Sequence, residues 1–449
     1  MNGRLTGRRL TAVVVATLLA VAHLAFSMAP SNHDNAVQAR GDVLEGMGVN
    51  VHHLEAPAQE LAAIRSAGAR WVRMDLAWAK MEPKPGQYEW ADADARMAQV
   101  RAQGLKPILI LAYGNPVYAP PPTGAARAFG DRLPPQSDKA VSAYADWAAA
   151  VAARYGSDAV LELWNEPNTE GFWRPAPDAD SYIRMATRAC STIRKARPDA
   201  VIWGPALANK DAGERAYNSA FLRRVVASPL PACLSAISVH PYVFWGSIDS
   251  LPDFWQRTRA TVAAAGKPLV SSESGISNYA AHVTANTQAS YLVRMRLYDY
   301  FSGVPVTIWY DWKNDGSDRS SPEQNYGLVD SWGNAKPALT ALQVMNQQLA
   351  GRSRQCMIKD GQQVAIYAWS PGNEADQLVV AWNRTWGLTP SVASSVVLAL
   401  PGAQDAPSIV DLFGQPVPRA TKDGEQWRVW AEASPIYVRY HGARPVACH

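Results

Sequence analysis

The stretches Leu163-Trp164-Asn165-Glu166-Pro167-Asn168 and Val270-Ser271-Ser272-Glu273-Ser274-Gly275 are the most informative in this chain. Each of them closes a short apolar run of the kind that forms a buried strand, and each places a glutamate at the carboxyl end of that run. If both runs are strands of one parallel sheet, their carboxyl ends lie at the same edge. The two carboxylates would then face one cleft.

Short apolar runs and amphipathic stretches alternate from Gly46 to about Leu349. The predicted strands are Gly48–His52, Trp71–Leu76, Pro107–Leu111, Leu161–Trp164, Val201–Gly204, Ala236–His240, Pro268–Ser272 and Val306–Trp309. The predicted helices lie near residues 58–67, 92–103, 138–154, 179–195, 214–228, 253–265, 286–302 and 336–349. Eight strand–helix units in about 300 residues are typical of a (β/α)8 barrel, which is an α/β fold.

Polar side chains follow or end most of these strands, at the end where (β/α)8 barrels carry their chemistry. They are His52, Arg73, Asp75, Tyr113, Asn115, Asn165, Glu166, His240, Tyr242, Glu273, Trp309 and Asp311. A random placement would not put polar residues at one end of so many strands. The pattern therefore predicts a functional site at the mouth of the barrel.

The sequence pattern changes after about Gly351, where short alternating strands are separated by glycine, proline and asparagine. These strands are predicted at Val364–Trp369, Gln377–Trp382, Ser395–Leu400, Ser408–Leu412, Gln426–Trp430 and Ile436–Tyr440. They indicate an all-β sandwich. We therefore expect a barrel domain over residues 41–350 and a C-terminal β-sandwich domain over residues 351–449.

Residues 1–40 are expected to be a signal peptide or membrane anchor with a linker. Arg8 and Arg9 precede an apolar run from roughly Leu10 to Ala29, which is the pattern of an export signal. Ser27-Met28-Ala29 and Val37-Gln38-Ala39 both offer small-residue cleavage sites. The run is near the lower length limit for a membrane span, so an uncleaved anchor in the inner membrane remains an alternative. Either reading places the rest of the chain outside the cytoplasm, as a periplasmic or secreted protein.

Four cysteines, which allow three pairings, suit an oxidising compartment. We expect the disulfides Cys190–Cys233 and Cys356–Cys448, because each pair lies within one predicted domain. None of the four shows the spacing of metal ligands, so no zinc site is expected.

Composition narrows the class of function. The net charge is only +4 and charged residues make up 18% of the chain, which argues against a nucleic-acid-binding protein with its concentrated basic face. The chain has 17 Trp and 17 Tyr but only 8 Phe. Flat rings with a polar edge suit the apolar faces and hydroxyl rims of sugars.

Several motifs occur in an order that resembles a known enzyme clan. They are Trp71-Val72-Arg73-Met74-Asp75-Leu76-Ala77-Trp78, Trp164-Asn165-Glu166-Pro167-Asn168, Gly171-Phe172-Trp173-Arg174-Pro175, His240-Pro241-Tyr242, Glu273, and Tyr326-Gly327-Leu328-Val329-Asp330. Together they resemble the retaining (β/α)8 glycoside hydrolases. The closest resemblance is to glycoside hydrolase family 39 and its endoglycosidases that cleave bacterial exopolysaccharide. It covers roughly the whole chain after residue 45.

The resemblance implies a pair of catalytic carboxylates. Glu166 would be the general acid/base, which must carry a proton near neutral pH, and Glu273 would be the ionised nucleophile. Arg73 and Tyr242 match residues that donate hydrogen bonds to the nucleophile, and Asn165 matches the residue that contacts the sugar 2-hydroxyl. The remaining candidates for substrate binding are His240, Trp309, Trp173 and His52.

Together, these expectations predict a retaining O-glycosyl hydrolase that cleaves within a bacterial polysaccharide. We expect it to be monomeric and to need no metal or organic cofactor. A transglycosylase, an exo-glycosidase with the same site, and a non-catalytic polysaccharide-binding or assembly protein are the alternatives. A Schiff-base aldolase would need a lysine at the carboxyl end of a strand. Lys106 and Lys267 lie at the opposite end, which disfavours that class.

Overall fold

A computed structural model describes most of the chain after residue 35. The described residues are 36–52, 57–118, 133–209, 220–243, 247–279, 283–361, 363–384, 396–424, 426–445 and 448. The predicted export signal and its cleavage site at Ser27-Met28-Ala29 lie outside them. Within these ranges, none of the helices combines the length and the apolar character that crossing a membrane requires.

The first described strand, β1 (Ala36–Arg40), precedes eight parallel strands that close into a barrel. The barrel strands are β2 (Met47–Asn50), β3 (Trp71–Ala77), β4 (Lys106–Ala112), β5 (Val160–Leu163), β6 (Val201–Ala208), β7 (Ala236–His240), β8 (Leu269–Ser274) and β9 (Thr307–Trp309). The pairing of β2 with β9, with Val49 opposite Trp309, closes the cylinder. All eight predicted barrel strands are present, and the predicted fold class is confirmed.

Ten α-helices are described, most of them on the outside of the barrel. They are α1 (Pro57–Ser66), α2 (Trp78–Met81), α3 (Ala91–Ala102), α4 (Asp138–Tyr155), α5 (Ala179–Ala196), α6 (Ala220–Val226), α7 (Leu230–Cys233), α8 (Leu251–Val262), α9 (Ala285–Phe301) and α10 (Pro337–Leu349). Ser137 caps α4 by accepting a hydrogen bond from the Ala140 amide at 3.1 Å. The predicted helix near 214–228 is present as α6, and its first residues lie outside the described part of the chain.

The C-terminal part forms two antiparallel sheets, as predicted. Their strands are β10 (Arg354–Asp360), β11 (Gln363–Ser370), β12 (Asn373–Asn383), β13 (Val396–Ala399), β14 (Ser408–Val410), β15 (Ala420–Asp423), β16 (Gln426–Ala431) and β17 (Ile436–His441). One sheet has the order β1-β10-β11-β12-β17-β14 and the other has the order β13-β16-β15.

Strand β1 differs from the sequence-based expectation. Residues 1–40 were expected to lie outside the fold, yet β1 pairs antiparallel with β10, with Gln38 opposite Cys356. The short polar sequence of β1 carries no strand signal of its own, because the pairing comes from the edge of a sheet formed by distant residues. The possible cleavage site Val37-Gln38-Ala39 lies inside this strand.

The sandwich packs on the barrel through α9. This helix is buried on nearly all sides from Gln288 to Phe301, which is expected for a helix enclosed between two layers. Trp382 of β12 meets Tyr298 of α9 edge-on, with ring centroids 5.4 Å apart. Both predicted disulfides are confirmed: Cys190 of α5 bonds to Cys233 of α7, and Cys356 of β10 bonds to Cys448.

Candidate active site

A cleft of about 1090 Å³ opens at the carboxyl ends of the barrel strands. Its wall includes residues from or just after β2, β3, β4, β5, β7 and β8, and both predicted catalytic glutamates are part of it. The barrel topology brings these residues together, because every strand ends at the same face.

The two glutamates meet in this cleft. Glu166 lies just after β5, on a sharp turn in which Trp164 has φ 73° and Glu166 has φ 46°. These left-handed conformations are strained for residues with side chains and are common at functional sites. The Glu166 amide donates to the carbonyl of Ala206 at 3.0 Å, which secures the turn against β6. One carboxylate oxygen of Glu166 and one of Glu273 lie within 4.8 Å of each other.

Glu273, on β8, is held by two donors. Arg73 Nη1 donates to its Oε2 at 2.7 Å, and the Tyr242 hydroxyl donates to its Oε1 at 2.8 Å. Burial, followed by the negative charge of Glu273, raises the pKa of Tyr242 well above its ordinary value. Tyr242 therefore keeps its proton and remains a donor. This arrangement stabilises an anionic carboxylate in a fixed orientation.

Arg73 is itself buried and connects four strands. Its Nε donates to Glu162 Oε2 at 2.7 Å, and its Nη2 donates to Asn165 Oδ1 at 2.6 Å. Its Nη1 also approaches Asn50 Oδ1 at 3.2 Å. Because Asn165 uses its carbonyl oxygen to accept from Arg73, its amide NH2 group is left to donate in the cleft, whose wall it joins.

His240 lies behind the glutamates rather than on the cleft wall. Its side chain is fully buried, and its Nδ1 lies 2.8 Å from Glu166 Oε1 and 3.9 Å from Glu273 Oε1. Burial is the main cause that lowers the pKa of His240 to about 4. The imidazole is therefore neutral at neutral pH, and its contact with Glu166 is a hydrogen bond rather than an ion pair.

Two predicted sugar-binding tryptophans do not reach the cleft. Trp173 is 1% exposed and packs edge-on against Trp164, with ring centroids 5.2 Å apart. Trp309 is 0% exposed, and its Nε1 donates to the carbonyl of Tyr326 at 3.1 Å. The prediction that these two rings contact substrate at the cleft surface is wrong, because both are buried among aromatic side chains behind the cleft wall.

His52, another predicted substrate-binding residue, does line the cleft. Its Nδ1 lies 3.2 Å from Asp315 Oδ1. Burial alone would lower its pKa, but the hydrogen bond with Asp315 and the charges of Asp315, Asp311 and Asp75 together raise it to about 9. His52 is therefore a cation at neutral pH.

Besides the predicted Tyr242, four aromatic rings line the cleft that were not singled out from the sequence as sugar-binding residues. They are Tyr113, Phe172, Tyr310 and Tyr326. Tyr113 stacks on Phe172 at 5.6 Å, and Tyr310 meets Tyr326 edge-on at 5.2 Å. Tyr310 and Tyr326 belong to the long segment between β9 and α10, whose path across the barrel mouth no local pattern reveals. Glu162 was also missed, although an acid inside an apolar strand is a usable signal.

Two groups of side chains in the described residues have ligand atoms close enough to share a cation. They are Glu166, His240 and Glu273, and His52, Asp311 and Asp315. In the first group Glu166 bonds to His240 and Glu273 bonds to Arg73 and Tyr242. In the second group His52 pairs with Asp315. His240 Nε2 in the first group and Asp311 Oδ1 in the second are buried without a hydrogen-bond partner among the described residues.

Comparisons with known proteins agree on one class of enzyme. The family model described as cellulase (glycosyl hydrolase family 5) matches residues 37–316. A β-galactosidase, BgaA, from a Thermus species is 39% identical over 64 residues, which cover 14% of this chain and 9% of that protein. This chain thus spans about a tenth of the length of the curated relatives that it matches.

The solved structures show the same fold. A family 39 glycoside hydrolase from Bacteroides cellulosilyticus WH2 has a TM-score of 0.72 and 22% identity, with 89% of this chain and 81% of that chain covered. A family 39 enzyme from Xanthomonas axonopodis pv. citri has a TM-score of 0.61 and 16% identity, with 91% of this chain and 96% of that chain covered. A family 30 endoxylanase from Clostridium papyrosolvens C71 has a TM-score of 0.57 and 12% identity, covering 91% and 100%.

Proposed function

The chain belongs to the cellulase family of glycosyl hydrolases, family 5, and from this premise we propose that it cleaves O-glycosidic bonds with retention of configuration through Glu166 and Glu273. The observation that carries the proposal is the distance of less than 4.8 Å between carboxylate oxygens of the two residues. Retaining enzymes have carboxyl groups about 5–5.5 Å apart, whereas inverting enzymes need roughly 6.5–9.5 Å to admit a water molecule.

Glu273 is the proposed nucleophile, because Arg73 and Tyr242 hold it as an oriented anion. Glu166 is the proposed acid/base. The negative charge of Glu273 nearby favours a proton on Glu166, since two adjacent carboxylates do not both ionise easily. A neutral His240 can accept a hydrogen bond from the protonated acid.

The proposed reaction is a double displacement. Glu273 attacks the anomeric carbon while Glu166 gives its proton to the departing glycosidic oxygen, and a covalent glycosyl-enzyme forms. Glu166 then takes a proton from a water molecule, whose oxygen attacks the same carbon and releases Glu273. The sugar leaves with its original configuration, and both glutamates return to their starting protonation states.

We propose a polysaccharide substrate and endo-acting cleavage. The cleft, about 1090 Å³, slightly exceeds the usual volume of small-molecule sites, about 300–1,000 Å³, so it has room for more than one sugar ring. Its aromatic wall and its cationic His52 offer stacking and hydrogen-bond donors along that length. A bacterial exopolysaccharide is the proposed natural substrate, and an exo-glycosidase or a transglycosylase with the same site is the alternative.

The two disulfides are typical of a protein outside the cytoplasm. We propose export by the N-terminal segment, to the periplasm or the medium, or anchored at the inner membrane. If the leader is cleaved, Ser27-Met28-Ala29 is the more favourable site, because cleavage after Ala39 would remove most of β1 from its sheet.

Digestion of a panel of bacterial and plant polysaccharides tests substrate and mode of action together. An endo-acting hydrolase releases mixed oligosaccharides early in the reaction, whereas an exo-glycosidase releases one small product and a transglycosylase also forms longer chains. The variants E166Q and E273Q are expected to lower turnover by several orders of magnitude. E166Q should keep more activity on an aryl glycoside with an acidic leaving group, which needs no proton, while E273Q should not. Near-normal turnover by either variant on the natural polymer would remove that residue from its role.

A further inference from the structure

Glu162 is a buried carboxylate beneath the cleft that neither step of the reaction uses. It lies on β5, four residues before Glu166, and its side chain is completely buried. Its Oε2 accepts from Arg73 Nε at 2.7 Å. A lone carboxylate in such a place would be costly, so its pairing with Arg73 has to repay its desolvation.

Arg73 thus sits between two carboxylates. The Nε edge of its guanidinium bonds to Glu162, while Nη1 bonds to Glu273 and Nη2 to Asn165. Because the guanidinium is planar and rigid, fixing its Nε edge also fixes the directions of both Nη groups. Although burial opposes ionisation, the charge of Arg73 and its hydrogen bond hold the pKa of Glu162 below its ordinary value. Glu162 is therefore an anion.

We propose that Glu162 is a positioning residue that fixes the orientation of Arg73 and offsets part of its charge, so that Glu273 is held in place but remains a reactive anion. The inference rests on the proposed function of Glu273 as the nucleophile. Without Glu162, the whole charge of a buried guanidinium would act on Glu273. A more strongly stabilised carboxylate is a weaker nucleophile.

The other groups that face Glu273 come from several elements. They are Glu166 after β5, His240 and Tyr242 at the end of β7, and Tyr310, Asp311, Glu323 and Tyr326 between β9 and α10. The tyrosines are neutral, and so is His240 at neutral pH. Arg73 is the cation in direct contact with Glu273. Removing the negative charge of Glu162 from Arg73 therefore changes the electrostatic environment of Glu273 directly.

The substitution E162Q tests the proposal, because glutamine keeps the size of the side chain and removes its charge. We expect kcat to fall about 10–100-fold with a smaller change in KM, since Arg73 loses the charged partner that orients it. The acidic limb of the kcat/KM profile, which reports protonation of the nucleophile in the free enzyme, should move to lower pH, because the charge of Arg73 then acts on Glu273 alone.

The matched control is D249N. Asp249 is another buried carboxylate paired with an arginine, Arg294, and it lies outside the cleft wall. D249N should lose stability as E162Q does and keep the wild-type pH profile. An E162Q enzyme with wild-type kcat and an unmoved acidic limb would overturn the proposal.

A second variant, E162D, covers the case in which E162Q does not fold. Aspartate keeps the charge but is one methylene too short to hold Arg73 in the same place. We expect a lower kcat with an unmoved acidic limb, and wild-type kcat in folded E162D would contradict the positioning role. Failure of the underlying function is distinguishable, because E273Q would then remain active, whereas a wrong role for Glu162 leaves E273Q inactive.

Discussion

Two different donors hold Glu273: a cation, Arg73, and a neutral hydroxyl, that of Tyr242. Arg73 supplies charge and a fixed plane, and Tyr242, just after β7, supplies a hydrogen bond to the opposite oxygen. The two contacts use different oxygens, so together they limit rotation of the carboxylate. Each contact should therefore leave its own signature when it is removed.

Replacing Tyr242 with phenylalanine should lower kcat/KM about 10–100-fold, the effect of losing a hydrogen bond to a charged group. The acidic limb of the pH profile should move to higher pH, because the anion of Glu273 loses a donor. The shift is opposite in sign to that expected for E162Q. Y298F is the control, since the Tyr298 hydroxyl also donates to a buried carboxylate, Asp249, but away from the cleft. Equal profiles for Y242F and the wild type would contradict this role.

The His52–Asp315 pair should make stability depend on pH. The pKa of His52 rises from about 6.5 to about 9 on folding, so the folded state binds the extra proton between these values. The pair therefore stabilises fully below about pH 6.5, and its contribution is lost as the pH rises through about 9.

Thermal unfolding of the wild type and H52Q across this range measures that contribution. The difference in Tm should be largest near pH 6 and should vanish above about pH 9. A difference that is constant with pH would show that His52 is not the titrating group.

The positions of individual side chains show which parts of the site could be predicted from the sequence. The sequence placed Glu166, Glu273, Arg73, Asn165 and Tyr242 at strand ends, and the structure brings them into contact because a closed barrel makes strand ends converge. Whether a side chain near a strand end points into the cleft or behind its wall depends on the layers outside the barrel, as the positions of Trp173 and Trp309 show.

At the scale of elements, the strands of the barrel were predicted well and those of the sandwich only in part. The barrel strands are continuous apolar runs because helices cover them, and that pattern is visible locally. Three strands of the sandwich, β1, β10 and β15, were missed. Two of them, β1 and β15, lie at the edges of their sheets, whereas β10 lies between β1 and β11. An edge strand such as β1 is defined by pairing with its partner, here β10, rather than by an apolar run of its own.

Removal of β1 should destabilise the protein. A chain that begins at Gly41 loses the five residue pairs between β1 and β10, whereas a chain that begins at Ala36 keeps them. We expect the shorter chain to lose about 1–4 kcal/mol in urea unfolding and to aggregate more readily, because the edge of β10 becomes exposed. Identical midpoints for the two chains would show that β1 adds nothing to the sheet.

At the scale of the whole molecule, barrel and sandwich share an apolar cluster, and a second cluster lies within the sandwich. The cluster that contains the barrel residues continues through Tyr298 and Trp382 into the sandwich. Both folds were predicted from the sequence, but their contact was not, because nothing in the sequence of α9 indicates which element packs against its apolar side chains. Packing of the sandwich against the barrel therefore stabilises the barrel.

The substitution W382A should destabilise the entire protein by about 3–5 kcal/mol, the usual effect of truncating a buried large side chain. Folded W382A should keep wild-type turnover at 25 °C, since Trp382 lies outside the cleft wall. W332A is the control, because Trp332 is 75% exposed and its truncation should change stability little. A separate low-temperature transition for the sandwich alone in W382A would contradict a shared core.

The most direct test of the account is the configuration of the first product. Proton NMR during cleavage of the oligosaccharide that the enzyme digests fastest follows the new anomeric signal before mutarotation. Two glutamates with oxygens within 4.8 Å predict that this signal has the same configuration as the bond that was cut. Initial release of the inverted anomer would contradict the covalent intermediate on Glu273 and the central claim with it.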